Sequence, residues 1–186
     1  MRIGIDARFY GPAGKGIGRY SEKLIAHLEK IDKLNDYFIF LRRENFDLYQ
    51  PVNPKFHKVL ADYPWYSFKE QIFLPFRFRE FKLDLAHFPH FNIPLFYFGK
   101  FVVTIHDLTL LRFPTHHKNF LARFLYFFKH FFFILVLRSA VSRAKKIITD
   151  SESTKRDLIE YFRLNPKKIK VIYLGSDPIK CYPETA

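Results

Sequence analysis

With 186 residues, a hydrophobic fraction of 48%, a net charge of +13 and a pI near 9.8, the chain has material for one sizeable domain and is short for two. Such a charge points to an anionic partner, whether nucleic acid, sugar nucleotide or a phospholipid surface. A single cysteine, Cys181, excludes an intrachain disulfide framework, and the absence of an apolar leader ahead of the first strand makes the cytoplasm the expected location.

Ile3 and Ile5 alternate with Gly4 and Asp6 in a run too short for a helix, which predicts a first strand. From Tyr10 to Gly18 the chain holds four of its seven glycines, Gly11, Gly14, Gly16 and Gly18. A glycine loop that opens a helix can aim backbone N–H groups and a positive helix end at an anion, and Lys15 and Arg19 add formal charge beside it. The spacing fits neither G-x-G-x-x-G nor a P-loop, so a plain strand-to-helix turn is the alternative. Apolar residues at Ile17, Tyr20, Leu24, Ile25, Leu28 and Ile31 follow helical spacing. YFIFL, residues 37–41, reads as a buried strand, and another is expected at residues 57–61 after a proline-marked connection. Residues 65–81, WYSFKEQIFLPFRFREF, predict a helix that kinks or begins again at Pro75. It is either an ordinary core-packing helix with solvated charges or part of an acceptor- or membrane-facing surface. DLAHF (84–88) and KFVVTI (100–105) read as strands separated by a loop held by Pro89 and Pro94, and the second runs into His106-Asp107.

Residues 118–143 have helical length and a dense run of phenylalanine. A spanning helix needs about 20 uninterrupted apolar residues, and Arg123, Lys129, His130 and Arg138 break this run. Two readings remain: a core helix with a large apolar face, or a helix in the bilayer interface with Arg123, Lys129 and Arg138 at headgroup level and Phe127 and Phe131 facing the membrane. KKIITD (145–150) predicts a strand, residues 151–162 a helix with Ser151 as N-cap, and KVIYL (170–174) a last strand before the turn at Gly175-Ser176-Asp177-Pro178.

Alternating strands and helices imply a Rossmann-like α/β fold, a parallel sheet with helices on both faces, and ligands bind such sheets outside the carboxyl ends of the strands. Gly11–Gly18, His90 and His106 all follow expected strands, so one edge collects them. His106-Asp107 is the sharpest polar pair, with a hydrogen-bonded structural histidine as the alternative. His87, His90 and His106 lack an accompanying carboxylate or cysteine cluster, and neither a metal nor another cofactor is expected. Asp6 and Asp107 read as capping or loop-bonding residues rather than a catalytic pair.

RIGIDAR, then GKGIGRYS, then VVTIHDL, SESTKRDL and the ending IYLGSD together resemble the N-terminal domain of retaining GT-B glycosyltransferases of the group-1 or family-4 class. One departure is Thr149-Asp150, where the family usually has valine before the serine. The resemblance implies an acceptor-side domain over residues 1–177, with 178–186 as a linker start or tail, and a second, donor-binding domain that the 186 residues do not contain, supplied in cis or in trans. It implies transfer of a hexose, mannosyl-like, from a nucleotide-sugar donor to a saccharide or lipid-linked acceptor, with retention and with peripheral contact to the inner face of an anionic membrane. On it, His106 and Asp107 are the catalytic candidates, Gly14, Gly16, Gly18 and Arg19 the donor-phosphate candidates, and His90 and Ser151 the acceptor-side candidates. The competing reading is a non-catalytic basic module binding anionic membrane or nucleic acid. No recognised nucleic-acid motif is present, which makes nucleic acid the less expected partner.

Overall fold

The computed structural model describes residues 1–112 and 120–175. Seven strands form one sheet: β1 Arg2–Asp6, β2 Asp36–Leu41, β3 Phe56–Leu60, β4 Leu85–Phe88, β5 Phe101–Ile105, β6 Lys146–Thr149 and β7 Ile169–Val171. Their order is β3-β2-β1-β4-β5-β6-β7, and every neighbouring pair is parallel. The helices are α1 Lys15–Ile31, α2 Phe68–Glu80, the single turn α3 Thr109–Arg112, α4 Phe120–Arg143 and α5 Glu152–Phe162.

Strand β2 shows why the layers form. Side chains alternate across a strand, so Tyr37, Ile39 and Leu41 join Ile5, Ala7 and Ile25 of α1 in one apolar cluster. Phe38 and Phe40 point the other way, into a larger cluster with Leu74 and Phe78 of α2, Leu137 and Ala140 of α4 and Leu158 of α5. Helices therefore cover both faces, and the continuous apolar run 37–41 is what a strand buried on both sides requires. The fold is the Rossmann-like α/β sheet that the alternation predicts.

Several boundaries differ from expectation. Helix α1 starts at Lys15, two residues earlier than the apolar spacing shows. Helix α2 does not begin again at Pro75: Ser67 Oγ caps it by accepting the Glu70 N–H at 3.1 Å, and it continues through the proline. Leu74 and Phe78 flank Pro75 and are fully buried, so packing outweighs the lost backbone bond. Strand β7 ends at Val171, and beyond the Ile172 N–H bond to the Thr149 carbonyl the chain leaves the sheet edge with Tyr173 and Leu174 exposed. Helix α4 divides between the two readings offered for it. Val136, Leu137, Ala140 and Val141 are core, whereas Phe127 and Phe131 are 66% and 55% exposed. Arg123, Lys129 and Arg138 are exposed on the same helix. Residues 118, 119 and 178–186, which carry the start of that expected helix and the expected tail, lie outside the described residues. No described helix is long and apolar enough to cross a membrane.

Candidate active site

Strand order reverses between β1 and β4, since the chain moves one way from β1 through β3 and the other way from β4 through β7. Loops leaving the carboxyl ends of two such strands diverge and open a crevice. Beside it lies a buried ionic network. Arg8, 1% exposed, grips Asp6 bidentately, with Nε to Oδ1 and Nη2 to Oδ2 both at 2.7 Å. Its Nη2 also donates to Glu70 Oε1 at 2.5 Å, and Nη1 to the Tyr63 carbonyl at 3.1 Å. Burial alone would lower the Arg8 pKa, but Asp6 and then Glu70 outweigh it and hold the guanidinium firmly charged. For Glu70 burial dominates and raises its pKa against the pull of Arg8.

This network ties three loops together. Asn92, after β4, donates to Glu70 Oε1 at 2.7 Å, and the Tyr66 N–H donates to Oε2 at 2.7 Å. Tyr66 is thereby held at φ 57°, a left-handed conformation that a bulky residue seldom keeps without such support. Asn45 fixes the loop after β1 from the other side, its Nδ2 spanning the carbonyls of Ala7, Arg8 and Tyr10.

Joined to this network through Tyr66 is a cleft of about 250 Å³, lined by Ile17, Tyr66, His90, Phe91, His106, Asp107 and Phe133. His106 stands where β5 ends. Its Nδ1 is 3.2 Å from Asp150 Oδ2 and its Nε2 3.1 Å from the Pro89 carbonyl, while Tyr20 meets the ring edge-on at 4.9 Å. Both partners are acceptors, so each bond requires a proton on its ring nitrogen. The imidazole thus ties the ends of β4, β5 and β6 together. His90 packs against Phe91 with ring centres 4.0 Å apart and accepts the Asn92 N–H through Nδ1 at 3.3 Å. Burial first, then neighbouring His106, lowers its pKa to about 4 against Asp6 and Asp107, so the ring is neutral at pH 7 with its proton on Nε2. Beneath it His87 is likewise brought down to about 4 by burial and by His106, and its Nε2 is 2.9 Å from Thr104 Oγ1. Asp107 accepts the Thr109 N–H at 2.8 Å and so closes the turn into α3, as the loop-bonding reading expects.

The glycine loop has a different physical reason from the one its composition suggests. A Cβ on Gly14 would stand 1.8 Å from the Phe9 carbonyl oxygen, and one on Gly18 2.1 Å from the Gly11 oxygen. Backbone packs on backbone at both positions, which demands glycine regardless of any ligand. Among the four glycines of this loop, only Gly16 faces open space. Ile17, in the first turn of α1, is the residue of this stretch that lines the cleft; Arg19, two residues on, is exposed.

The cleft therefore brings together His90, His106 and Asp107, and places Gly14, Gly16, Gly18 and Arg19 beside it rather than in its lining. Ser151 serves as N-cap of α5, its Oγ accepting the Thr154 N–H at 3.1 Å. The Thr154 hydroxyl donates to the His106 carbonyl at 2.9 Å, so this pair braces the histidine from behind. Helix α4 sends Phe133 into the cleft, whereas Arg123, Phe127, Lys129, Phe131 and Arg138 lie on its exposed surface. Sequence reading missed Arg8, Glu70, Tyr66 and Asp150. For Asp150 a signal existed: a carboxylate at a strand end where the resembling family has valine.

A solved glycosyltransferase from Rickettsia africae ESF-5 is similar at 14% identity and a TM-score of 0.44, over 94% of this chain and 42% of that one, so the chain spans about two fifths of its length. A search among curated proteins finds no match. The sequence model of Glycosyltransferase Family 4 matches residues 14–179, from the loop after β1 past the end of β7, and on that match the chain belongs to Glycosyltransferase Family 4.

Proposed function

We propose that this chain is the acceptor-side half of a GT-B glycosyltransferase that moves a hexose, mannosyl-like, from a nucleotide sugar to a saccharide or lipid-linked acceptor with retention. The observation that carries this reading is the cleft itself. It gathers the first turn of α1, His90 and His106-Asp107 at the carboxyl edge of the sheet of a Family 4 domain. Residues 1–177 form this half, and a second Rossmann-like domain, in cis or in trans, holds most of the donor nucleotide.

In this reading the helix start around Gly14, Gly16 and Gly18, with Arg19 beside it, offers backbone donors and a positive helix end to the leaving diphosphate. Donors fixed in place before the reaction stabilise developing charge without reorganising. His106 meets the transferred sugar by exchanging one of its present acceptors, Asp150 or Pro89, for a sugar hydroxyl. Its neighbour Asp107 shapes the turn on the same wall, and neutral His90 donates from Nε2 toward the acceptor. Ser151 acts through Thr154 on the His106 backbone. Exposed aromatics and cations on α4 bring the domain to the inner face of an anionic membrane, where a lipid-linked acceptor would lie.

Transfer assays with labelled nucleotide sugars test the division of labour. The purified 186-residue chain is expected to show little or no transfer, because in this reading the second domain supplies the diphosphate clamp; robust turnover by the chain alone would refute the divided site. With a donor domain supplied, His106→Ala should lower turnover by about 10²-fold or more, the loss typical of one transition-state donor. Unchanged turnover would remove His106 from the reaction.

A further inference from the structure

A second cleft, of about 300 Å³, lies at the opposite edge of the sheet, where β5 and β6 begin. Phe98, Gly99, Lys100, Phe101, Arg143 and Lys145 line it. The cations here divide by what they already hold. Lys168 Nζ donates to the Ser142 carbonyl at 2.6 Å and Lys146 Nζ to the Lys167 carbonyl at 2.8 Å, as expected of basic residues near a helix end and a turn. Arg143 is anchored by neutral acceptors: Nη1 by the Leu95 carbonyl at 2.8 Å and Ser139 Oγ at 3.0 Å, Nη2 by the Tyr97 carbonyl. Its guanidinium carbon also lies 5.3 Å from the ring centre of Phe98 and 5.8 Å from that of Phe101. None of these partners neutralises it. Lys100 and Lys145 are exposed, and no ion pair or side-chain hydrogen bond engages them among the described residues.

Three positive charges therefore share one concavity with no carboxylate in its lining. Between Asp84 and Asp150 the sequence carries one acidic residue, Asp107, and it stands at the far edge of the sheet in the first cleft. Crowding is felt nearby, since burial and then the charge of Lys145 lower the pKa of Lys168. A rigid guanidinium flanked by two mobile ammonium groups is a phosphate-binding set, the fork giving direction and the lysines charge.

The surroundings indicate where the phosphate comes from. Phe98 is 74% exposed at the lip of the cleft and Phe96 57% exposed beside it, and along α4 Phe131, Phe132 and Leu135 also face outward. Aromatics next to unpaired cations suit the headgroup level of a bilayer, with rings among the upper acyl chains and cations against phosphates. We propose that the cleft of Phe98, Lys100, Arg143 and Lys145 seats the phosphate of an anionic phospholipid and so fixes how this domain lies on a bilayer. The inference rests on the peripheral-membrane part of the reading above and adds a specific headgroup site to it. It also sets an orientation: the face bearing α4 meets the lipid with the amino edge of the sheet at headgroup level, and the sugar-side cleft opens at the other end of the strands.

Flotation with phosphatidylcholine vesicles, with and without phosphatidylglycerol, tests this on the 186-residue chain. Wild type should bind only the vesicles that contain phosphatidylglycerol. Lys100→Gln with Lys145→Gln should weaken that binding roughly thirty-fold, the loss expected for two lysines at an anionic surface. Lys30→Gln with Lys33→Gln, which removes the same charge from exposed positions at the end of α1 and just past it, should change it less than about two-fold. Equal losses in the two variants would mean that net charge alone drives binding and would overturn the site. Should wild type ignore phosphatidylglycerol vesicles, the membrane reading and this site fail together, while the transfer reading stands on its own assay. Inorganic phosphate followed by amide chemical shifts distinguishes the source: saturable shifts at Lys100, Phe101 and Lys145 without vesicle binding would assign the cleft to free phosphate and overturn the lipid. Matching circular-dichroism melts establish that each variant is folded.

Discussion

Replacing Arg8 by methionine tests whether the loops beside the cleft are held electrostatically. The substitution keeps length and apolar volume but leaves Asp6 and Glu70, both nearly inaccessible to water, without their shared cation. Removing one partner of a buried ion pair costs about 3–5 kcal/mol, a large share of the about 5–15 kcal/mol by which domains are stable. For a domain of this size each kcal/mol moves the midpoint by about 2–4 °C, so melting should fall by about 6–20 °C. The loss should also depend on pH in a definite direction. Burial already raises the Glu70 pKa above its unfolded value, and Arg8 is the main force opposing that rise. Without Arg8 the folded state takes up a proton at higher pH, and a raised carboxyl pKa means stability that is present at low pH and lost as pH rises through the folded value. Urea denaturation of Arg8→Met should accordingly show a smaller deficit at pH 5 than at pH 7.5. Adding Glu70→Gln, whose amide oxygen can still accept from one of Asn92 and Tyr66, should restore at least about 1 kcal/mol at pH 7.5, since it removes one stranded charge. A deficit below about 1 kcal/mol, or one that is the same at both pH values, would refute the electrostatic account.

Phe127→Ser with Phe131→Ser should leave the melting midpoint within a few degrees, because both rings are mostly exposed, whereas core phenylalanines would cost about 3–5 kcal/mol each; the same pair should weaken vesicle binding. An unfolded double variant in a circular-dichroism melt would return this part of α4 to the core. His87, with a folded pKa near 4 below an ordinary 6.5, contributes stability present above pH 6.5 and lost as pH falls, worth about 2 kcal/mol by pH 5. His87→Gln should flatten that slope in chemical denaturation between pH 7 and 5, and an unchanged slope would count against it. In a glycine scan, Gly14→Ala and Gly18→Ala should each destabilise by about 1–3 kcal/mol through forced backbone shifts, while Gly16→Ala, in open space on α1, should stabilise by roughly 0.5–1 kcal/mol. Equal effects at the three positions would contradict the packing account.

What the sequence reveals here is periodic or punctuated. Alternation in RIGID, the two-sided apolar run 37–41 and the β-branched run before His106 are properties of neighbouring residues, so the sheet and the positions of His90, His106 and Asp107 at its edge are legible before any coordinates. What sequence hides depends on contacts across long separations. Arg8 reads as one of 31 basic residues, and only the return of α2 and of the loop after β4 makes it a buried hub for Glu70 and Asn92. The glycines announce a close approach without saying what approaches, and at Gly14 and Gly18 it is the chain's own carbonyls. Phenylalanine density on α4 says apolar surface but not which turns face inward, because the run has too little polar contrast to define a stripe.

The strand order also shapes how the chain emerges during synthesis. β1 is made first yet sits mid-sheet, and one of its two partners, β4, begins more than eighty residues later: the Arg2 N–H waits for Asp84, 82 positions downstream. At about 5–20 residues per second that is several seconds during which β1, β2 and β3 can pair while the inner edge of β1 stays open. An unpaired parallel edge is a template for the wrong strand, and pairings between distant segments form slowly. Yield of this domain should therefore respond to translation speed across residues 61–84, the stretch whose arrival allows the open edge to close, more than to speed after β4 has docked.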